Sequence, residues 1–586
     1  TGKGVVTGIC DIGIDPLHTT FLSADGSPRI RRIVQYLEGD GKRIEMNTSE
    51  EFALWQTDTR NEWHATHVAG IMAGSALPYR GMAPEADIVV STSTLSDVGL
   101  LCGAEDIIDY AREEGKRALV NMSMGNYTGP HDGSSLFCQY LDLLAEEAVV
   151  VISAGNAGNS ACSLPFTFTE DKTTVSLPIY STDWVQFDPY GMVDVWSRDD
   201  TEVSIRFGIR DNDLNETVWM SPWRTMTSDS VFTVTSDSAS LAEDENEERI
   251  YDPSFAGLFK GYVSITGGID SENGRFHTAM IMDAHTEYVS ERGHWARYIL
   301  IVEVGGNPGT GVDIYADNQF TVFRQLPGEP APDSSLSFSD LGTGRNTISV
   351  GMFSNRESYP ILGGDLRPSG VEPGTISSPS GYATLADGRV MPLTVAPGFG
   401  VISAISNPFL ESNPGKEPIN AETLAHGKRY YWATNYGTSM SAPYVAGTIA
   451  CWLEAIPSLT TGEIREIILA SNRHDYPDPD NPRHGLGWFD PAEGLRVALR
   501  KYASGIENLP SAPGIAPQLS VSGNNLTLWN PAGAGCRITL YSASGVSIAS
   551  FLTAERTSDF PLSDFPPGIY IAAIEGSSFT LKFIIH

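Results

Sequence analysis

Residues 1 to 164 alternate short, nearly continuous apolar runs with stretches of helical period, and this alternation restricts the fold more than any other feature of the chain. The runs are Gly4 to Cys10, Ala86 to Val90, Ala118 to Met124 and Ala148 to Ser153. They lack the polar alternation of a sheet with one wet face, so they read as strands buried on both sides. Helical stretches lie between them, among them Ala104 to Glu114 and Leu136 to Glu147. Strands alternating with helices build a doubly wound, mostly parallel α/β sheet, whose ligands bind beyond the carboxyl ends of the strands. Asp11 and Asn156 each follow such a run.

Near Cys162 the pattern changes. Short alternating or apolar runs replace it, including Thr174 to Tyr180, Val203 to Ile209, Gly261 to Ile265 and Tyr298 to Val304, with turn residues between them and no helical period. This spacing predicts an all-β sandwich or jelly roll. The acidic run Glu243 to Glu248 reads as a solvated loop. After the linker Pro327 to Ser335 the α/β pattern resumes at Asn346 to Gly351, so the β block interrupts one α/β domain. The expected organisation is therefore α/β, first part, 1–164; an inserted jelly-roll-like β-sandwich, 165–335; α/β, second part, 336–503; a Pro/Gly/Ser linker, 504–517; and a small C-terminal β-sandwich, 518–586.

A net charge of −34 argues against a nucleic-acid partner, because a phosphate binder needs a basic face. No run of about 18 apolar residues is present, so no membrane-spanning helix is expected. The chain opens on Thr1-Gly2-Lys3-Gly4 with no visible signal peptide and reads as a mature or trimmed fragment of a secreted or cell-surface protein. Acidity is compatible with structural calcium, for which the sequence locates no site. The six cysteines form no CxxC pair and have no zinc-finger histidines near them. Cys138 with Cys162 is the one disulfide pairing considered. The oligomeric state is not legible.

Four stretches carry chemistry. Ser439, in Gly437-Thr438-Ser439-Met440-Ser441-Ala442-Pro443, stands before Ala and Gly residues at helical spacing, with Pro443 expected in the first turn. A serine at the mouth of a closely packed helix is placed either as a nucleophile or as an N-cap; the outward N–H groups and the helix dipole favour developing negative charge. Asp11 opens Asp11-Ile12-Gly13, which a tight turn alone would explain. His64-Ala65-Thr66-His67 starts another small-residue helix, with His64 facing the strand end and His67 structural; a two-histidine metal site is the rival, but HExxH is absent. Asn156, between glycines, projects from a turn as an oxyanion donor or satisfies its own backbone.

Taken together, Asp-x-Gly at a strand end, HxTHVAG, the GN turn and GTSMSAP resemble the subtilisin-like serine peptidases. Gly81 to Ala86, Asn121 to Gly125, Asp387-Gly388-Arg389 and Val395 to Gly398 are similar to further motifs of that family. The resemblance covers residues 1 to about 164 and 336 to 500. It implies peptide-bond hydrolysis by Ser439, His64 and Asp11, with Asn156 and the Ser439 N–H at the oxyanion. Substrate would lie along Ser123, Met124 and Gly125, with Ser153, Ala154 and Gly155 also contributing. The resemblance implies no catalytic cofactor and no metal. Departures are Ile12 and Ala65, which remove no catalytic group, and the insertion, which follows the GN turn where the family forms part of its primary specificity pocket. A transpeptidase of the same fold would share every motif, and a catalytically silent scaffold would carry a broken triad. Leu540 to Gly545, Pro566 to Tyr570 and Lys582 to Ile585 resemble the sorting tails of type IX secretion.

Overall fold

A computed structural model of the chain describes residues 1–37, 42–55, 61–92, 95–182, 190–227, 230–239, 246–291, 296–503, 518–522, 525–529, 536–542, 547–553, 557–563, 565–574 and 580–585. The linker expected at 504–517 lies outside them, as do Ala543 to Gly545 of the sorting-tail motifs and Glu243 to Glu245 of the acidic run. Two compact units emerge: residues 1–461 with 472–489, and residues 462–471 with 490–586. The division falls before the helix Pro491–Ala503, not after it.

A ten-stranded sheet organises the first unit. Its order is Ile419–Ala425, Lys428–Tyr436, Thr394–Ile405, Ile348–Ser354, Val149–Ser153, Arg117–Met122, Val5–Cys10, Asp87–Thr92, Ile30–Tyr36 and Arg43–Met46. The strands from Thr394–Ile405 to Ile30–Tyr36 pair in parallel, and the flanking pairs are antiparallel. Every residue of Val5–Cys10 is buried, as its apolar run requires. The two halves of the domain join where Ile348–Ser354 pairs with Val149–Ser153, Ile348 opposite Val151.

Between those halves, Ser163 and Asp333 exchange main-chain hydrogen bonds of 3.0 and 2.8 Å, which brings the start and end of the β block together. The block itself is two sheets, one of five and one of seven strands among the described residues, sharing a core that includes Val195, Phe207, Val263, Met280 and Val302. Two sequence expectations fail here. The acidic run is not all loop: Glu247–Tyr251 is an edge strand parallel to Ser230–Thr235, and the Glu247 carboxylate accepts from Thr233 Oγ1 at 2.8 Å and Arg249 Nε at 2.7 Å. A helix, Pro253–Leu258, also interrupts the strands, capped by Asp252 with proline in its first turn.

Cys138 and Cys162 are both free thiols, which removes the disulfide considered above; Cys138 Sγ lies 3.2 Å from the Asp340 carbonyl oxygen instead. In the second unit, a three-stranded and a four-stranded antiparallel sheet share a core of Leu526, Leu528, Ile538, Leu540, Ala572 and Ile574. Among the described residues no helix is long and apolar enough to cross a membrane.

Candidate active site

Asp11 ends the Val5–Cys10 strand, and the turn after it holds the helix His64–Ala73. That helix has no side-chain cap; Ala65 N–H donates to the Ile12 carbonyl at 2.7 Å and Thr66 Oγ1 to the Gly13 carbonyl at 2.7 Å. The turn thus supplies acceptors the helix end lacks. Gly13 has φ +85°, and a Cβ there would stand 2.6 Å from Trp63 N, so only glycine lets turn and helix meet this closely. This contact sets His64 Nδ1 2.8 Å from both carboxylate oxygens of Asp11. Asp11 is fully buried at its side chain, whereas His64 keeps about 25% of its side chain exposed. Burial alone would lower the His64 pKa, but the charge and hydrogen bond of Asp11 outweigh it and raise the pKa above its ordinary value.

His67 faces the interior, with Nε2 donating to the Ala433 carbonyl at 3.1 Å, and burial pushes its pKa down to about 3. Its place in the core leaves His64 as the histidine in the cleft. Among the described residues no group of three or more His, Cys, Asp and Glu side chains gathers where it could hold a metal ion.

Ser439 is the second residue of the helix Thr438–Ala455, whose N-cap is Gly437 at φ 143°. Pro443 is therefore not in the first turn but inside the helix, where its missing N–H leaves the Ser439 carbonyl without its helical donor. Ser123 Oγ donates to that carbonyl at 3.0 Å and itself accepts from Asn121 Nδ2 at 2.9 Å, so a neighbouring strand end replaces the lost bond. In return, Ser439 Oγ donates to the Ser123 carbonyl at 3.2 Å; no hydrogen bond joins Ser439 to His64 among the described residues.

Asn156 is exposed, and its Oδ1 accepts from Thr438 N at 2.9 Å and Thr438 Oγ1 at 3.2 Å. With the oxygen end of the amide engaged twice, Nδ2 is the end left to donate. The Ser439 N–H meets no acceptor among the described residues either. One donor belongs to the residue that carries the hydroxyl and the other to a side chain tied to its neighbour Thr438, a pattern suited to a developing oxyanion.

The expected substrate residues divide. Ser123, Met124 and Gly125 line a cleft of about 580 Å³ together with Asp11, Glu62, Trp63, His64, Leu95, Asp97 and Asn126. Gly125 is exposed, and neither of its main-chain groups has a partner among the described residues. Ser153, Ala154 and Gly155 are buried, and their groups are engaged: Ser153 Oγ donates to the Met124 carbonyl at 2.6 Å, the Ala154 carbonyl accepts from Ser339 N at 2.9 Å, and Gly155 N donates to Thr438 Oγ1 at 3.1 Å. None of the three lines this cleft.

Sequence reasoning missed what the β block adds. Gln319, from its last turn, lines the cleft. Asp194 Oδ2 accepts from Gly129 N at 2.7 Å, and Arg275 Nη1 donates to the Pro130 carbonyl at 2.8 Å and to Asp132 at 2.9 Å, so the block grips the loop that follows Gly125. His277 Nε2 lies 2.5 Å from Asp194 Oδ1; burial would raise the pKa of Asp194, but the charge and donors around it hold it below its usual value. Asp-x-Trp at 194–196 and Arg-x-His at 275–277 were the only signals, and strand pairing alone makes them neighbours.

The model of the subtilase family of peptidases matches residues 2–186 and 225–488. The subtilisin-like protease PopC of Myxococcus xanthus (strain DK1622) is 27% identical over 190 residues, 29% of this chain and 37% of PopC, so the chain spans little more than a third of that relative. The structure of the CspB protease of Clostridium perfringens is similar in fold, with a TM-score of 0.60 at 21% identity over 86% of this chain and 94% of CspB.

Proposed function

Since the chain belongs to the subtilase family of serine peptidases, we propose that it hydrolyses peptide bonds through an acyl-enzyme on Ser439. His64 takes the hydroxyl proton and returns it to the leaving amine, while Asp11 fixes the imidazole with its proton on Nδ1 and steadies the imidazolium. Asn156 Nδ2 and the Ser439 N–H donate to the oxyanion. The substrate pairs as an added strand along Gly125. Every group in this scheme comes from the chain itself.

The observation that carries the proposal is the Asp11–His64 pair, 2.8 Å apart in the same cleft as Ser123, to whose carbonyl Ser439 donates. Before reaction the Ser439 hydroxyl must turn from Ser123 toward His64; catalytic hydrogen bonds of a free enzyme are often completed only when substrate arrives. An intact pair also weighs against the silent scaffold. A fluorophosphonate probe is expected to form one adduct, mapped by mass spectrometry to Ser439. Its labelling rate should fall as pH drops through the His64 pKa, which Asp11 raises, because the protonated ring cannot accept the serine proton. An adduct on another residue, or a rate indifferent to pH, counts against the assignment.

We propose further that the enzyme acts outside the cell, that its β block is a jelly roll and that residues 518–586 are a type IX sorting tail. Short motifs support the last, and the block's two-sheet core supports the second. Removing residues 518–586 is then expected to leave active enzyme inside the producing cell. Unimpaired release of the shortened chain would remove the sorting reading.

A further inference from the structure

The strands Arg117–Met122 and Val149–Ser153 are parallel neighbours, Met122 opposite Ile152, so the segments that follow them leave the sheet side by side. One carries Gly125 and Tyr127, the other Gly155 and Asn156. If Ser439 and Asn156 act as proposed above, the residue that donates the scissile carbonyl sits with that carbonyl against them. Its side chain then faces the gap between Gly125 and Gly155.

That gap is nearly closed. A Cβ added to Gly125 would already stand 3.7 Å from Gly155 Cα and 3.5 Å from Ser339 Oγ, ordinary van der Waals contact. An aromatic ring slotted between two walls needs roughly 7 Å, two carbon contacts of about 3.5 Å each. Tyr127 blocks the next position along: a Cβ on Gly155, at φ +91°, would meet the Tyr127 ring and hydroxyl at 2.9 Å.

The walls are also tied together. Ser339 N donates to the Ala154 carbonyl at 2.9 Å on one wall, while Ser339 Oγ accepts from Asn126 N at 3.0 Å on the other. Asp340 N donates to the Asn126 carbonyl at 2.8 Å, and Tyr127 OH accepts from Asn156 N at 2.5 Å. Ser337, Phe338, Ser339 and Asp340, the residues by which the chain returns from the β block, are all buried. Widening the gap for a large side chain would break several of these bonds at once.

We propose that this peptidase cleaves after a small residue, glycine, alanine or serine, and that Tyr127 and Ser339 set the limit. The inference rests on the catalytic reading given above. It also gives the β block a role: the chain returning from it sets the Ser339 side chain into the primary pocket.

The test is cleavage of a quenched peptide set that varies only the residue before the scissile bond, using the full chain labelled in parallel with a fluorophosphonate. Wild type is expected to cut after Ala or Gly on the order of 100-fold more efficiently, by kcat/KM, than after Phe, Leu or Lys. Tyr127→Ala should narrow the Ala-to-Phe ratio at least tenfold, whatever its overall activity, and Tyr127→Phe, which keeps the ring, should preserve it. Efficient cleavage after Phe or Lys by an enzyme that labels at Ser439 overturns the narrow pocket alone. Failure to label overturns the catalytic reading and this inference with it. A ratio unchanged in Tyr127→Ala overturns the role given to Tyr127.

Discussion

Ser439→Ala is expected to abolish fluorophosphonate labelling and to lower peptide turnover by about 10⁶-fold, the loss that the equivalent change causes in subtilisin itself and carried here by family membership. So large a loss follows if the proposed nucleophile and base act as one unit. Without the hydroxyl, the Asp11–His64 pair has no group to deprotonate, and only orientation and the oxyanion donors remain. Those donors alone leave a residual acceleration of roughly 10³- to 10⁴-fold over water. Asn156→Leu should be much milder, on the order of 10²- to 10³-fold in kcat, because the Ser439 N–H still faces the oxyanion. The ordering is the diagnostic: steady-state kinetics on one peptide should rank Ser439→Ala far below Asn156→Leu. Equal losses would mean that Asn156 holds the helix end through Thr438, to which its Oδ1 is bonded at 2.9 Å, and is not an oxyanion donor. Folding of each variant can be checked independently, since alanine at position 439 removes only the bond to the Ser123 carbonyl.

The groups proposed as catalytic could be named from sequence because each sits where local sequence dictates geometry. Asp11 follows a doubly buried strand, His64 opens a small-residue helix, and Gly437 and Gly155 flag backbone that only glycine adopts readily. The alternation of strands and helices likewise follows from periodicity, and the sheet forms in the expected parallel sense. What escaped was non-local. Pro443 looks like a first-turn residue until the helix start is known, and the substitute donor, Ser123, lies 316 positions from Ser439. The partners Asp194, Arg275 and Ser339 belong to segments whose meeting with the 126–134 loop depends on the folding of the whole β block. Burial of Ala154 and Gly155 was invisible for the same reason, since Ser339 and Gly381 cover their carbonyls from a distance of more than 180 residues along the chain. The short strand Glu247–Tyr251 was hidden by its charge: an edge position lets glutamates stay wet while the backbone pairs.

Mild acid is expected to destabilise the first unit by about 2.7 kcal/mol per pH unit from two histidines alone, beginning near pH 6. His18 and His67 are both fully buried, and burial pushes their pKa values down to about 4 and about 3. The structure shows why each must be neutral. His18 Nδ1 accepts from Thr20 N at 3.2 Å, so a proton there would confront a donor, and its Nε2 is bonded to the Tyr431 carbonyl at 3.2 Å. His67 gives Nε2 to the Ala433 carbonyl, while its buried Nδ1 meets no hydrogen-bond partner among the described residues. In the unfolded chain both rings take up protons near pH 6.5. Below that pH the unfolded state binds more protons than the native one, so stability falls as pH falls, until the native pKa values are reached. His64 and His277, whose native values are raised, add no slope in this window, because both states are already protonated below the unfolded value. Asp15 and Asp340 act in the opposite direction: burial raises them, so the native state gains protons first and is favoured as pH drops through their range. Total slope is therefore a sum of opposing contributions, and the histidine share is isolated by substitution. Denaturant unfolding of His67→Gln and of the His18→Gln, His67→Gln pair at pH 7, 6 and 5 should show the acid slope reduced by about one and about two protons. A slope unchanged in both variants would sink the assignment. Both rings hold the strand Lys428–Tyr436, which leads directly into Gly437 and Ser439. Acid should consequently silence the serine through loss of this support at a lower pH than the one at which protonation of His64 slows it reversibly, giving two separable acid limbs.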